Sequence, residues 1–146
     1  MHFKIKPVET DEEFKHYYHL RWQLLRAPWH QPEGSEIDDI EDQCFHVIAI
    51  TNEQKVIGVA RLQFNSDDTA QIRYMAVDKA YQRQGIGRQL INAMEQHAVK
   101  TRHIKIILDA REPAVNFYKK LDYQILKKSY LLFDEIQHYQ MTKSLS

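Results

Sequence analysis

The chain has 146 residues and carries 20 basic and 20 acidic side chains, so its formal net charge at neutral pH is zero. Because the two signs are interspersed, no nucleic acid partner is expected. A hydrophobic fraction of 43% argues against disorder, and the length predicts a single domain over residues 1–146. No apolar run approaches the roughly 20 residues that cross a bilayer, so no membrane partner is expected.

Cysteine and histidine usage indicates a reducing compartment without a metal site. Cys44 is the one cysteine, which excludes an internal disulfide and suits a small packed side chain better than a nucleophile. The first residues lack the apolar stretch of a secretion signal, so a cytoplasmic protein is expected. His16 and His19 have a spacing that a metal could use on a helix, but no third ligand lies nearby, and no metal is expected.

The first part of the chain predicts a strand, a helix and a loop. Alternating apolar residues and lysines indicate a short strand that ends near Pro7. Thr10 and Glu13 have the spacing of a capping box, so a helix begins there and ends before Pro28. Residues 28–43 are polar and indicate a loop with a short helical turn.

The remainder predicts a sheet with two further helices. Strands are expected at 44–51, 56–64 and 70–77, and the short turns between them predict an antiparallel meander. Apolar residues at helical spacing then predict a helix over 86–100. A continuous apolar run at 104–108 predicts a strand covered on both faces. A helix that opens at Glu112-Pro113 and strands near 123–128 and 136–142 complete the order.

A glycine-containing segment, Gln82-Arg83-Gln84-Gly85-Ile86-Gly87-Arg88, joins the strand at 70–77 to the helix at 86–100. Glycines at a helix start leave free N–H groups and favour an anion, most often a phosphate. The segment lacks the Gly-Lys-Ser/Thr of a P-loop and the third small residue of a dinucleotide fingerprint. It fits a third pattern, Gln/Arg-x-x-Gly-x-Gly/Ala, at every fixed position; the alternative is a turn that merely begins a helix.

This third pattern resembles the acetyl-CoA loop of the GNAT superfamily of N-acetyltransferases. The strand end Met75-Ala76-Val77, the strand leading to Asp109-Ala110-Arg111, and Asn116 and Tyr118 on the next helix agree with that resemblance. It implies a mixed α/β (α+β) fold. The sheet would be central and mostly antiparallel, with six to seven strands, flanking helices and a parallel pair splayed at the cofactor cleft.

The resemblance also implies an enzyme that transfers an acetyl group from acetyl-CoA to a primary amine of a small molecule or peptide. Tyr118 would be the general acid and the Val77 N–H the donor to the thioester carbonyl. The expected cofactor-binding residues are Met75, Ala76, Val77, Gln82, Arg83, Gln84, Gly85, Ile86, Gly87, Arg88 and Asn116. The alternative is a non-catalytic acyl-CoA-binding module, and pairing into a homodimer is left open.

Three features depart from the family pattern or stay ambiguous. The matching position for a glutamate base is Gln71, which cannot take a proton, so the base is open among the acids at 36–42, His46 and a water relay at Tyr74. Asp122 replaces a glycine that would end the helix in a left-handed conformation. The acids at 36–42 indicate a solvated loop, or else an attraction for a cationic amine.

Overall fold

A seven-stranded sheet organises residues 2–145, which are the residues that the computed structural model describes. Its strands are β1 (Phe3–Pro7), β2 (Phe45–Thr51), β3 (Val56–Phe64), β4 (Thr69–Val77), β5 (Lys105–Arg111), β6 (Gln124–Leu132) and β7 (Ile136–Ser144). The helices are α1 (Asp11–Leu25), α2 (Ile86–Lys100) and α3 (Val115–Lys119). In space the strands follow the order β1-β2-β3-β4-β5-β7-β6.

The sheet is antiparallel except at its centre, where β4 and β5 run parallel. Parallel neighbours need a crossover, and α2 with its flanking loops provides it. The mixed, mostly antiparallel fold with one parallel pair is therefore confirmed. Within the described residues, no helix is both long and apolar enough to span a membrane.

The two faces of the sheet are covered by different helices. On one face, here the α1 face, Tyr17 and Leu20 pack against side chains of β2 and β3. On the other, the α2 face, Leu90, Ile91 and Met94 pack against alternate residues of β2 to β5. Because side chains alternate along a strand, each position can be assigned to one face.

The region around β5 corrects the sequence prediction. Burial alternates along β5, with Ile106 and Leu108 buried on the α2 face and Ile107 only half-buried. The strand is thus not covered on both faces, because α1 packs over β3 and β4 and stops short of β5. Pro113 lies in a single 3-10 turn, and α3 begins only at Val115.

Elsewhere the expected elements are present. The helix predicted at 86–100 has those bounds. Thr10 accepts from the N–H of Glu13, and the Glu13 side chain accepts from the N–H of Thr10, so the capping box is confirmed. Asp122 has a φ of 73°, which is the left-handed conformation expected at the end of α3.

Candidate active site

The parallel strands separate midway along their length and open a cleft. Their last paired residues are Ile72 and Leu108. Two residues later Tyr74 has a φ of 55°, and the register between β3 and β4 shifts by one residue there. This is a β-bulge, which bends a strand locally. A cleft of about 540 Å³ fills the gap and is lined by residues of both strands.

Beyond the bulge, β4 presents an unpaired edge to this cleft. The Asp78 N–H donates to the Ile57 carbonyl on the β3 side at 2.8 Å. Because neighbouring residues of a strand direct their N–H groups to opposite edges, the Val77 N–H points into the gap. Met75, Ala76 and Val77 all line the cleft. An extended ligand could pair with this edge as an added strand does.

Free amide groups lie at the start of α2, next to the cleft. Gly85 caps the helix with a φ of 79°, and Arg83 has a φ of 67°. Among the described residues, the N–H groups from Arg83 to Arg88 find no hydrogen-bond acceptor. Together with the positive end of the helix dipole, such groups form a site for a phosphate or another anion.

Tyr118 projects from α3 into the cleft. Its side chain is buried, and its hydroxyl donates to the Met75 sulfur at 3.9 Å. The ring packs edge-on against Phe117 and Tyr123. Burial raises the pKa of Tyr118 above its usual value of 10, so the phenol stays protonated at neutral pH. A protonated hydroxyl at this position can serve as a proton donor.

The other predicted binding residues occupy two different environments. Gln82 lines the cleft, and its side-chain amide donates to the Val77 carbonyl at 3.3 Å. Arg83, Gln84 and Arg88 are exposed beside it. Asn116 is exposed on α3 and is not among the residues that line the cleft. Its role as a cofactor ligand stays a prediction.

The α1 face of the cleft is built from residues that the sequence did not single out as a site. They are Arg26, Arg73, Arg111, Tyr130 and His138, and together they are called the arginine chamber below. Arg111 lies opposite His138 in the β5–β7 register, and the Tyr130 ring stacks on His138 at 4.3 Å. Because side chains alternate between the two faces of a strand, the sequence of β5 could have predicted that Arg111 lies on the α1 face. No sequence signal showed that β7 lies beside β5.

The acidic run at 36–42 does not face the cleft. Its Glu41 carboxylate accepts from Arg21 and contacts Arg61, each at 2.8 Å. Arg61 also donates to both oxygens of Asp38 at 2.8 Å and lowers the pKa of Asp38 to about 2. Glu36 is 4% exposed. Asp38 and Glu41 thus neutralise buried arginines, whereas Asp39 and Asp42 are exposed. The run is therefore only partly solvated, and none of its acids lines the cleft.

The positions of the buried arginines and their acidic partners also reduce the number of candidates for a general base. His46 is buried, with its ring nitrogens 2.7 Å from the Tyr17 hydroxyl and 2.6 Å from the Glu41 carbonyl. It does not line the cleft, and neither does any acid of the run 36–42. Tyr74 does line the cleft. Its ring lies 4.4–4.7 Å from the guanidinium carbons of Arg21, Arg61 and Arg73.

Comparison with known families agrees with this geometry. The family model described as "Acetyltransferase (GNAT) family" matches residues 14–123, which is well over half of the chain. The chain belongs to the GNAT acetyltransferase family. A relative of this GNAT protein is the uncharacterized N-acetyltransferase YjcF of Bacillus subtilis (strain 168), 28% identical over 136 residues that cover 93% of this chain and 96% of YjcF.

Solved structures show the same fold at low identity. A Lactobacillus plantarum protein superposes on this GNAT chain with a TM-score of 0.86 and 23% identity, over 100% of both chains. An aminoglycoside 6'-N-acetyltransferase complexed with coenzyme A gives a TM-score of 0.82 at 14% identity, over 100% of this chain and 98% of its own. The ribosomal-protein-S18-alanine N-acetyltransferase of Escherichia coli gives a TM-score of 0.79 at 23% identity, over 99% of this chain and 95% of its own.

Proposed function

We propose that residues 1–146 form one N-acetyltransferase domain that moves the acetyl group of acetyl-CoA to a primary amine of a small molecule or peptide. The observation that carries the proposal is the row of unpaired amides from Arg83 to Arg88 beside the gap between β4 and β5. These amides would bind the diphosphate of the cofactor. The free edge from Met75 to Val77 would pair with its pantetheine arm.

The chemistry needs an oxyanion donor and a proton for the departing thiolate. The Val77 N–H points into the gap, where a rigid backbone donor stabilises the charge that develops on the thioester oxygen. Tyr118 would supply the proton as general acid, because its hydroxyl faces the same gap near Met75 and stays protonated at neutral pH. Gln82 and the exposed Asn116 would complete the cofactor end.

Two measurements on the purified chain test this function. Titration calorimetry should detect acetyl-CoA binding, and ATP should compete far less well than coenzyme A. Release of free thiol should then be followed against a panel of amines, amino acids and N-terminal peptides. No heat from acetyl-CoA at millimolar concentration would overturn the proposal. Binding without thiol release for any amine would favour a non-catalytic acyl-CoA sensor instead.

A further inference from the structure

The arginine chamber has an excess of positive charge. Arg26, Arg73 and Arg111 line this end of the cleft, and Asp109 is the one carboxylate among the described residues that line the cleft as a whole. Asp109 faces the same side of β5 as Arg111, two residues away, and its carboxylate accepts from the Gln71 amide at 3.4 Å. One carboxylate therefore faces three guanidinium groups.

These guanidinium groups are poorly neutralised by the protein. The Arg111 guanidinium makes no hydrogen bond or ion pair within residues 2–145, and it lies 4.7 Å from the Trp29 ring. Among the residues that the structure describes, the Arg26 side chain donates only to the carbonyls of Leu25 at 2.9 Å and Ser35 at 3.3 Å. Arg73 approaches Asp38 only at 4.0 Å, and that carboxylate is already held by Arg61.

Leaving these charges together is unfavourable in the free protein. Burial and the nearby charge of Arg26 lower the pKa of Arg111, which means that its charged form is disfavoured there. The three side chains are partly buried, and like charges that lie close together there disfavour each other's charged form. An anion that enters the chamber would form charge-assisted hydrogen bonds with planar donors that suit carboxylates and phosphates.

We propose that the acceptor is an amine that also carries an anionic group, a carboxylate or a phosphate, which the guanidinium groups of Arg26, Arg73 and Arg111 bind. This inference rests on the proposed function, and it names the acceptor class. The anionic group would sit on the α1 face, and the amine would extend through the gap towards Val77. Polycationic acceptors such as polyamines and aminoglycosides would be disfavoured by the same charges.

The cofactor's own phosphates are an unsuitable occupant of the chamber. The amides at the start of α2 lie on the α2 face, where Leu90 and Ile91 pack. Arg111 lies on the opposite face, because Ala110 before it is buried in the α2-face core. The two anion-binding ends are therefore separated by the sheet.

Matched acceptors that differ in one charged group give the first test. Thiol release from acetyl-CoA should be compared for alanine against alaninamide, aspartate against asparagine, and phosphoethanolamine against ethanolamine. Members with the anionic group should show a kcat/KM about 10- to 100-fold higher, which is the scale of a hydrogen bond to a charged group. The carboxylate and phosphate pairs distinguish the two sources of the anion.

Variants of one arginine give the second test. Arg111→Gln should raise KM for the preferred anionic acceptor about 10- to 100-fold and leave KM for acetyl-CoA unchanged. Arg111→Lys should raise this KM less than Arg111→Gln does, because lysine keeps the positive charge. The matched control is Arg102→Gln, which removes the same charge from an exposed residue before the start of β5 that does not line the cleft, and it should change neither constant.

The outcomes separate this inference from the proposed function. Neutral or polycationic acceptors that turn over as well as anionic ones would overturn the inference and leave the acetyltransferase standing. A rise in KM for acetyl-CoA in Arg111→Gln would also overturn it, because the chamber would then hold cofactor. If acetyl-CoA binds but no acceptor reacts, the transferase proposal fails. Titration calorimetry of the same anionic amines with the coenzyme A complex then tests whether the arginine chamber binds them. An absence of heat would overturn the inference.

Discussion

Gly87 on α2 lies against Phe117 on α3, so closely that a Cβ at Gly87 would be 3.1 Å from the ring Cζ of Phe117. The absence of a side chain thus lets the helix that starts the anion site approach the helix that carries Tyr118. Gly87→Ala should lower the melting temperature by about 3 °C and weaken acetyl-CoA binding about tenfold, because added atoms in a packed contact displace their neighbours. Scanning calorimetry and titration calorimetry measure both effects.

A second substitution checks the cause of that loss. Phe117→Leu in the Gly87→Ala background removes the ring atom that the new methyl group meets, so it should recover most of the affinity. If Gly87→Ala alone keeps wild-type affinity and stability, the close approach of the two helices is not required for acetyl-CoA binding.

Removing the Tyr118 hydroxyl should separate chemistry from binding. Tyr118→Phe should lower kcat about 100-fold, the scale of general acid catalysis, while the affinity for acetyl-CoA stays nearly unchanged. Tyr123→Phe is the matched control. It removes the neighbouring hydroxyl, which donates to Glu95 at 2.8 Å, and should leave kcat within about twofold. Equal effects of the two variants would contradict a proton-donating role for Tyr118.

Asp122 holds a left-handed conformation that costs about 1 kcal/mol in a residue with a side chain. The Tyr123 N–H donates to the Tyr118 carbonyl and the Asp122 N–H to the Lys119 carbonyl, each at 3.1 Å, which is the Schellman pattern of a helix end. Asp122→Gly should therefore raise the melting temperature by about 3 °C without loss of activity.

The neighbouring helix end provides a control for Asp122→Gly. Lys120 has a right-handed backbone, with a φ of −67°, so Lys120→Gly gains nothing from glycine's freedom and should lower the melting temperature. A decrease for Asp122→Gly as well would show that its side chain stabilises this helix end.

The pairing of Asp38 with buried Arg61 should make the free energy of unfolding depend on pH below about 4. The pKa of Asp38 is lowered from 3.8 to about 2, so its contribution is complete above pH 4 and disappears as the pH falls to about 2. Asp38→Asn should therefore destabilise the protein at pH 7, and the difference from wild type should shrink by about 2 kcal/mol at pH 2.

Urea denaturation at several pH values measures the pH dependence of Asp38→Asn. Asp39→Asn is the matched control, because the exposed Asp39 lies next in the chain, and it should change the free energy of unfolding little. A constant difference for Asp38→Asn between pH 7 and pH 2 would contradict the pairing as the source of its stability.

The geometry of the cleft at the start of α2, where we propose that the cofactor binds, was predictable because its signals are local. A strand, a glycine-containing turn and a helix are adjacent in sequence, and the free amides from Arg83 to Arg88 follow from that order. The left-handed Asp122 was predictable for the same reason, since a helix end depends on a few consecutive residues.

The arginine chamber was not predictable, because distant segments meet there. Arg26 follows α1, and Arg73, Arg111 and Tyr130 lie on three different strands. The last two come together through the pairing of β5 with β7 and of β7 with β6. The acids at 36–42 illustrate the same limit. Their partners Arg21 and Arg61 lie on α1 and β3, and a linear charge pattern does not indicate which charges will be buried as pairs.

The segment between α1 and β2 is fastened to the body of the protein at several points. Arg21 donates to the Glu36 carbonyl at 3.0 Å, the Trp22 indole donates to the Gln31 carbonyl at 2.9 Å, and Arg61 holds Asp38. This segment, which lines the cleft through Arg26, is therefore ordered before any small molecule arrives. The entropy of ordering it is lost when the chain folds, which leaves more of the binding free energy for discrimination among incoming molecules.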